Sequence, residues 1–168
     1  MKKYTLVALV ALVSFSYTSV FSQDTWIKQK LDEKIYVKFP TAPESLGNNT
    51  YKVQGLDSIA YTANTVDFEA FGLDSATLAS MSESDEFVNQ FKTGFVAQMP
   101  GVEIKKLDIN KWNENICYDI EGELASKQLK IFIKCIFIGS KMYTFFSAVP
   151  PTGILKNKDT FFSSINFN

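Results

Sequence analysis

The segment 113-NENICYDIEGELASKQLKIFIKCIFIGSKMYTFFSAV-149 reads as three antiparallel strands joined by two tight turns. Its register can be tested, because only one offset satisfies both faces of a pleated pair. With a four-residue loop over Ala125 to Gln128, Leu124 faces Leu129, Ile120 faces Ile133, Tyr118 faces Cys135 and Ile116 faces Phe137. That side is apolar. On the reverse side the same offset sets Glu123 against Lys130 and Asp119 against Lys134, opposite charges that each favour the pairing by a few tenths, about 0.3 kcal/mol. The next connection, Gly139-Ser140, has glycine where a type II′ turn requires it and places Phe137 opposite Met142 and Ile133 opposite Phe146. Ile136 then lies between Cys117 and Tyr143, with Phe132, Phe145 and Ile138 on the same side as the lysines. A sheet apolar on both sides predicts cover on both sides.

The chain has 168 residues, 46% of them hydrophobic and 14% aromatic, enough for one globular domain with a well-filled core. All 17 basic residues are lysine, and histidine is absent. Lacking arginine, the chain has no bidentate fork for phosphate or guanine. Lacking histidine, it has neither the commonest metal ligand nor the commonest proton-transfer group, so imidazole-based triads and metal-hydroxide sites are excluded.

Lys2-Lys3, the apolar run Leu6 to Val13 and Val20-Phe21-Ser22 have the layout of a signal peptide over residues 1–22, with cleavage before Gln23. The apolar run is short for a stable membrane anchor. Cleavage of 22 residues from 168 leaves 146, and two of the 17 lysines go with them, so 15 face 18 acids. The remaining body, 23–168, is expected to be a single periplasmic or secreted domain with no net basic footprint for nucleic acid or an anionic membrane. In an exported protein two cysteines invite a disulfide. The charge-matched register, however, puts Cys117 and Cys135 on opposite faces, which forbids the bridge and predicts two free, buried thiols.

In chain order, Trp26 to Leu31 and Ile35 to Phe39 read as a hairpin or a strand pair around Asp32-Glu33-Lys34, ended by Pro40 and Pro43. Glu44 to Asn49 reads as a loop. Thr50 to Gln54, Ser58 to Thr62 and Val66 to Phe71 read as strands, and Leu73 to Met81 as a further loop. A helix follows, with Ser82-Glu83-Ser84-Asp85 resembling a capping box and Phe87, Phe91, Phe95 and Met99 on one stripe, before Pro100-Gly101 stops it. Gly94 is expected to permit close approach to the sheet. Lys105-Lys106 marks a bulge within a strand starting at Val102, and the chain closes with a helix from Lys156 to Ser164 and a strand at Ile165-Asn166-Phe167.

A leader, a strand ending at Phe39-Pro40 with Pro43 soon after, one amphipathic helix, long strands containing Lys141-Met142-Tyr143 and the closing Phe161-Phe162-Ser163-Ser164-Ile165-Asn166-Phe167 resemble the PsbP-like domains. That group includes the photosystem II extrinsic subunit and exported bacterial proteins. The resemblance covers nearly all of Asp24 to Asn168. It implies an α+β fold, a mostly antiparallel sheet with helices packed on both faces, and a non-catalytic role in binding or assembly; no functional residue carries over.

Two functions are consistent with these residues. An exported binding or assembly domain would show a protein partner of the envelope or the secreted fraction an exposed cluster drawn from Trp26, Trp112, Tyr143 and Phe145. The alternative, a carrier of a small apolar ligand, would use some of the 15 phenylalanines to line an internal cavity. An enzyme is not expected, and neither a cofactor nor a metal is called for. Asp119, Glu121 and Glu123 share one face and could hold a hard cation, but two of the three already oppose lysines and read first as a charge ladder.

Overall fold

The computed structural model describes residues 26–168, so the leader expected over 1–22 lies outside the described residues. The central register is the one that the two faces demand. Strand β7 (Asn115–Leu124) pairs with β8 (Leu129–Ile138) through Leu124↔Leu129, Ile120↔Ile133, Tyr118↔Cys135, Glu123↔Lys130 and Asp119↔Lys134. Strand β9 (Lys141–Val149) follows with Phe137↔Met142, Ile133↔Phe146 and Ile136↔Tyr143. Gly139 has φ +64°, as the first central position of a type II′ turn needs.

The remaining strands are β1 (Ile27–Lys30), β2 (Ile35–Phe39), β3 (Glu44–Gly47), β4 (Thr50–Gln54), β5 (Ala60–Asp67), β6 (Val102–Trp112) and β10 (Asn166–Phe167). They complete an antiparallel seven-stranded sheet, ordered β3-β4-β5-β9-β8-β7-β6, and a separate three-stranded sheet, β1-β2-β10. The bulge expected at Lys105-Lys106 shifts the register between Ile104 and Lys106. Gly122 sits across from it because a Cβ there would come within 2.8 Å of the Glu103 carbonyl oxygen.

The large sheet is covered on both sides. On one face Tyr118, Ile120, Ile131, Ile133, Cys135 and Phe137 pack under α1 (Ser75–Met81) and α2 (Asp85–Gln98). The Phe91 ring meets Tyr118 at 5.3 Å between centroids and Phe87 meets Phe137 at 6.1 Å, so the expected stripe is the core face of α2. On the other face Tyr61, Cys117, Ile136, Tyr143 and Phe145 pack under α3 (Leu155–Ser163) and the small sheet, which supply Phe161, Val37 and Phe39. The second cover is thus one helix plus a sheet, because the alternating Ile35, Val37 and Phe39 of β2 offer a whole apolar face to bury.

Several local expectations are corrected. The stretch 44–49 includes strand β3, whose four residues are all exposed and show no alternation to read. Val66 and Asp67 end β5, and Phe68–Phe71 is a 3₁₀ turn started by the Asp67 carboxylate, which accepts from the Glu69 amide. Residues 75–81 form α1, capped by Asp74; it buries only Leu78, too little to print a helical period on the sequence. The cap of α2 is Ser84, accepting from the Phe87 amide, while Ser82 ends α1 and receives the Tyr118 hydroxyl on its carbonyl. Gly94 does not serve a close approach, since nothing lies within 4 Å of a Cβ built there.

Candidate functional site

The four aromatics expected to share an exposed patch do not do so. Tyr143 and Phe145 are fully buried on the β9 face under the small sheet, and Trp26 and Trp112 are partly buried. The Trp26 ring packs edge-on against Tyr61 at 5.9 Å, and Trp112 against Phe167 at 4.9 Å. The reason lies in the β1–β2 hairpin, which folds over β9 and takes the surface that the isolated meander would have shown.

Asp32 fastens that hairpin. Its carboxylate accepts the Tyr143 hydroxyl at 2.6 Å, the Lys141 ammonium at 3.1 Å and the backbone amides of Lys34 and Ile35. Asn168 closes the same corner, donating from its amide side chain to the Asp32 carbonyl. Burial pushes the Asp32 pKa up, but the Tyr143 hydroxyl, the two amides and Lys141 outweigh it and hold the carboxyl below its ordinary value. Sequence reading found only a turn at Asp32-Glu33-Lys34, because its partners on β9 are more than a hundred residues away.

Cys117 and Cys135 are free, buried and on opposite faces of the sheet. Burial pushes the Cys117 thiol up to about 11 and the Cys135 thiol up to about 12, so neither is a nucleophile at neutral pH. Iodoacetamide at pH 8 is expected to leave both unmodified in the folded protein and to label both in denaturant without prior reduction. A denatured, unreduced sample with either thiol blocked would contradict the register.

The acidic face has become an ion-paired surface. Asp119 accepts from Lys134 at 2.5 Å and from the Asn110 amide at 2.6 Å. Asp119 lies directly opposite Asp108, and Glu123 opposite Glu103. Like charges so placed repel, and each pair is relieved by lysine: Lys106 joins Asp108, while Lys105 reaches Glu103 at 2.8 Å and Glu123 at 3.8 Å. Among the described residues, no three acids or thiols converge as a metal site would require.

Between this surface and α3 runs an open groove of about 340 Å³, with Asp108, Asp119, Glu121 and Lys134 on the strands and Lys158, Asp159 and Phe162 on the helix. Its floor is Phe132, with the Lys158 ammonium 4.4 Å above the ring. Charges of both signs thus stand on a rigid sheet around a half-exposed aromatic. This arrangement suits a complementary charged surface. Larger concavities, about 560 Å³ beside α2 and β6, about 450 Å³ beside β4 and β5 and about 420 Å³ on α2, are likewise open to solvent. The aromatic side chains that a carrier would use as a lining are packed on one another instead: Phe161 lies 5.4 Å from Phe39, 5.0 Å from Tyr61 and 6.5 Å from Phe145.

No protein-family model matches the chain, and no curated protein matches it. Among solved structures, PA94 from Pseudomonas aeruginosa, a protein of unknown function, aligns at TM-score 0.48 with 12% identity, over 82% of this chain and 92% of that one. The cyanobacterial PsbP (CyanoP) of Synechocystis sp. PCC 6803 aligns at TM-score 0.53 with 9% identity, over 92% of this chain and 99% of that one. Nearly the whole of both chains is superposed in that second comparison, and the fold described above is therefore the PsbP-like fold.

Proposed function

We propose that this chain is an exported, non-catalytic binding or assembly domain that docks a protein of the envelope or of the secreted fraction. The observation that carries this reading is the groove between α3 and strands β6 to β8, where acids and lysines, charges of both signs, surround an aromatic floor. The fold shared with CyanoP supports an accessory role. The leader-like 1–22 segment supports export, and among the described residues no helix is long and apolar enough to cross a membrane. Docking on fixed charges depends on sign, and like-charge juxtaposition costs several kcal/mol. Reversing Glu121 and Asp159 together (Glu121→Lys, Asp159→Lys) should therefore lower recovery of the partner in a cross-linked pull-down from the native envelope at least tenfold. Glu86→Lys, on α2 away from the groove, should leave recovery unchanged. Equal recovery by the double variant and the wild-type protein would remove the groove from consideration.

A further inference from the structure

At the end of the sheet where β5 begins and β9 ends, the chain exposes apolar side chains on structures built to hold them outward. Leu56, at the apex of the turn between β4 and β5, is 99% exposed. The turn is rigid: the Ser58 amide donates to the Gly55 carbonyl at 3.0 Å, and Ser58 has φ +64°. A Cβ on Gly55 would meet the Asp57 carboxylate at 2.5 Å, so this turn is specified in detail. Asp57 then ties it to the start of α3, accepting the Asn157 side-chain amide at 2.8 Å. That bond sets the turn that carries Leu56 at the same end of the molecule as the start of α3, where Ile154 is 55% exposed and Leu155 48% exposed.

Three exposed lysines flank this tip. Lys130 and Leu155 line one shallow depression, Lys156 follows directly, and Lys127 stands in the neighbouring turn. The nearest acid, Asp57, has its carboxylate engaged by the Ile59 amide, the Tyr61 hydroxyl and Asn157. Glu103 and Glu123, at the adjoining ends of β6 and β7, share Lys105, and Glu123 lies opposite Lys130 across the β7–β8 pair. Helix α3 also begins here, at Ile154, with no side chain accepting from its first amides, and so presents the positive end of its dipole outward. The mildly acidic balance of the whole body conceals this local arrangement.

We propose that this tip docks reversibly on a bilayer containing anionic phospholipid, with Leu56, Ile154 and Leu155 entering the interface and Lys127, Lys130 and Lys156 at the headgroups. The occupant follows from shape and charge. A protein partner needs a matching pocket for a projecting leucine, whereas a fluid bilayer accommodates any convex apolar tip, and flanking lysines gain from an anionic headgroup layer. The inference is independent of the charged groove, which lies on the β6 to β8 side of α3.

Co-sedimentation with vesicles tests it, using the body 23–168, which holds every described strand and helix. Binding is expected to vesicles of phosphatidylcholine with one third phosphatidylglycerol, about tenfold weaker on phosphatidylcholine alone, and weaker again as salt rises. Leu56→Ser with Leu155→Ser should reduce partitioning at least tenfold, and Lys127→Glu with Lys156→Glu should abolish the preference for phosphatidylglycerol. These side chains are exposed, so both variants should melt with the wild-type protein, which a thermal scan checks. Absence of binding to the anionic vesicles, or binding that neither variant alters, overturns the proposal. Such a failure with partner recovery through the groove intact would leave the function proposed above standing.

Discussion

Phe161→Ala should lower the stability of the body by about 3–5 kcal/mol, the usual range for truncating a buried phenylalanine. Phe161 is the buried residue of α3, and its ring is surrounded by Phe39, Tyr61, Phe145 and Phe162 at centroid distances from 5.0 to 6.5 Å. Those neighbours come from β2, β5, β9 and α3 itself, so their backbones are fixed by two sheets and cannot close around the vacated space. For a domain of this size the loss corresponds to a fall in Tm of roughly 10 °C. Leu155→Ala, on the same helix but half exposed, should cost under about 1 kcal/mol. A Phe161→Ala protein as stable as Leu155→Ala would show that α3 does not seat on this core.

Asp32→Ala should cost about 3 kcal/mol at pH 7. The substitution leaves the Tyr143 hydroxyl, the Lys141 ammonium and two amides without their acceptor, and hydrogen bonds to a charged group contribute about 1.5–3 kcal/mol each at most. Lys141 retains 29% exposure and water recovers part of the loss, which keeps the sum below that of a fully buried network. The pH dependence has a definite sign. The folded protein holds the Asp32 pKa below its unfolded value, so the unfolded state binds the proton more readily as pH falls. The charge-dependent part of the stabilisation is complete above the unfolded carboxylate value, near 4, and is lost as pH drops through the lower folded value. Urea unfolding of wild type and Asp32→Ala across pH 2 to 7 should show two curves that draw closer at the acid end. A constant separation down to pH 2 would mean that the carboxylate charge plays no part in holding the hairpin.

The elements that could be read in advance share one property: their partners are near in sequence. The β7–β8–β9 register follows from two short turns, so period-two alternation and the Glu123–Lys130 and Asp119–Lys134 pairings are enough to select it. The opposite-face placement of Cys117 and Cys135 follows from that register without further information. The Phe87, Phe91, Phe95 stripe of α2 likewise reports a single face in contact with a single sheet. Segments that bury little, such as β3 and α1, leave no periodic trace and emerge only in the folded structure.

The candidate sites divide in the same way. The charge ladder on β7 and its lysine partners on β8 are local, and sequence sufficed to place them. The groove needs α3 to lie across that ladder, and the apolar tip needs Asp57 to meet Asn157 from a hundred residues away. The aromatic patch failed for the complementary reason: Tyr143 and Phe145 are surface residues of the meander taken alone, and they become core residues once β1, β2 and β10 settle on them. Alternation and composition, which are properties of neighbours and of totals, were enough to establish a two-sided pleated floor with inert thiols and no imidazole or guanidinium chemistry. Tertiary structure alone decided which side chains reach solvent, since burial is set by whichever distant segment packs on top, and pairings such as β5 with β9 close loops whose ends carry no mutual signal in the intervening chain.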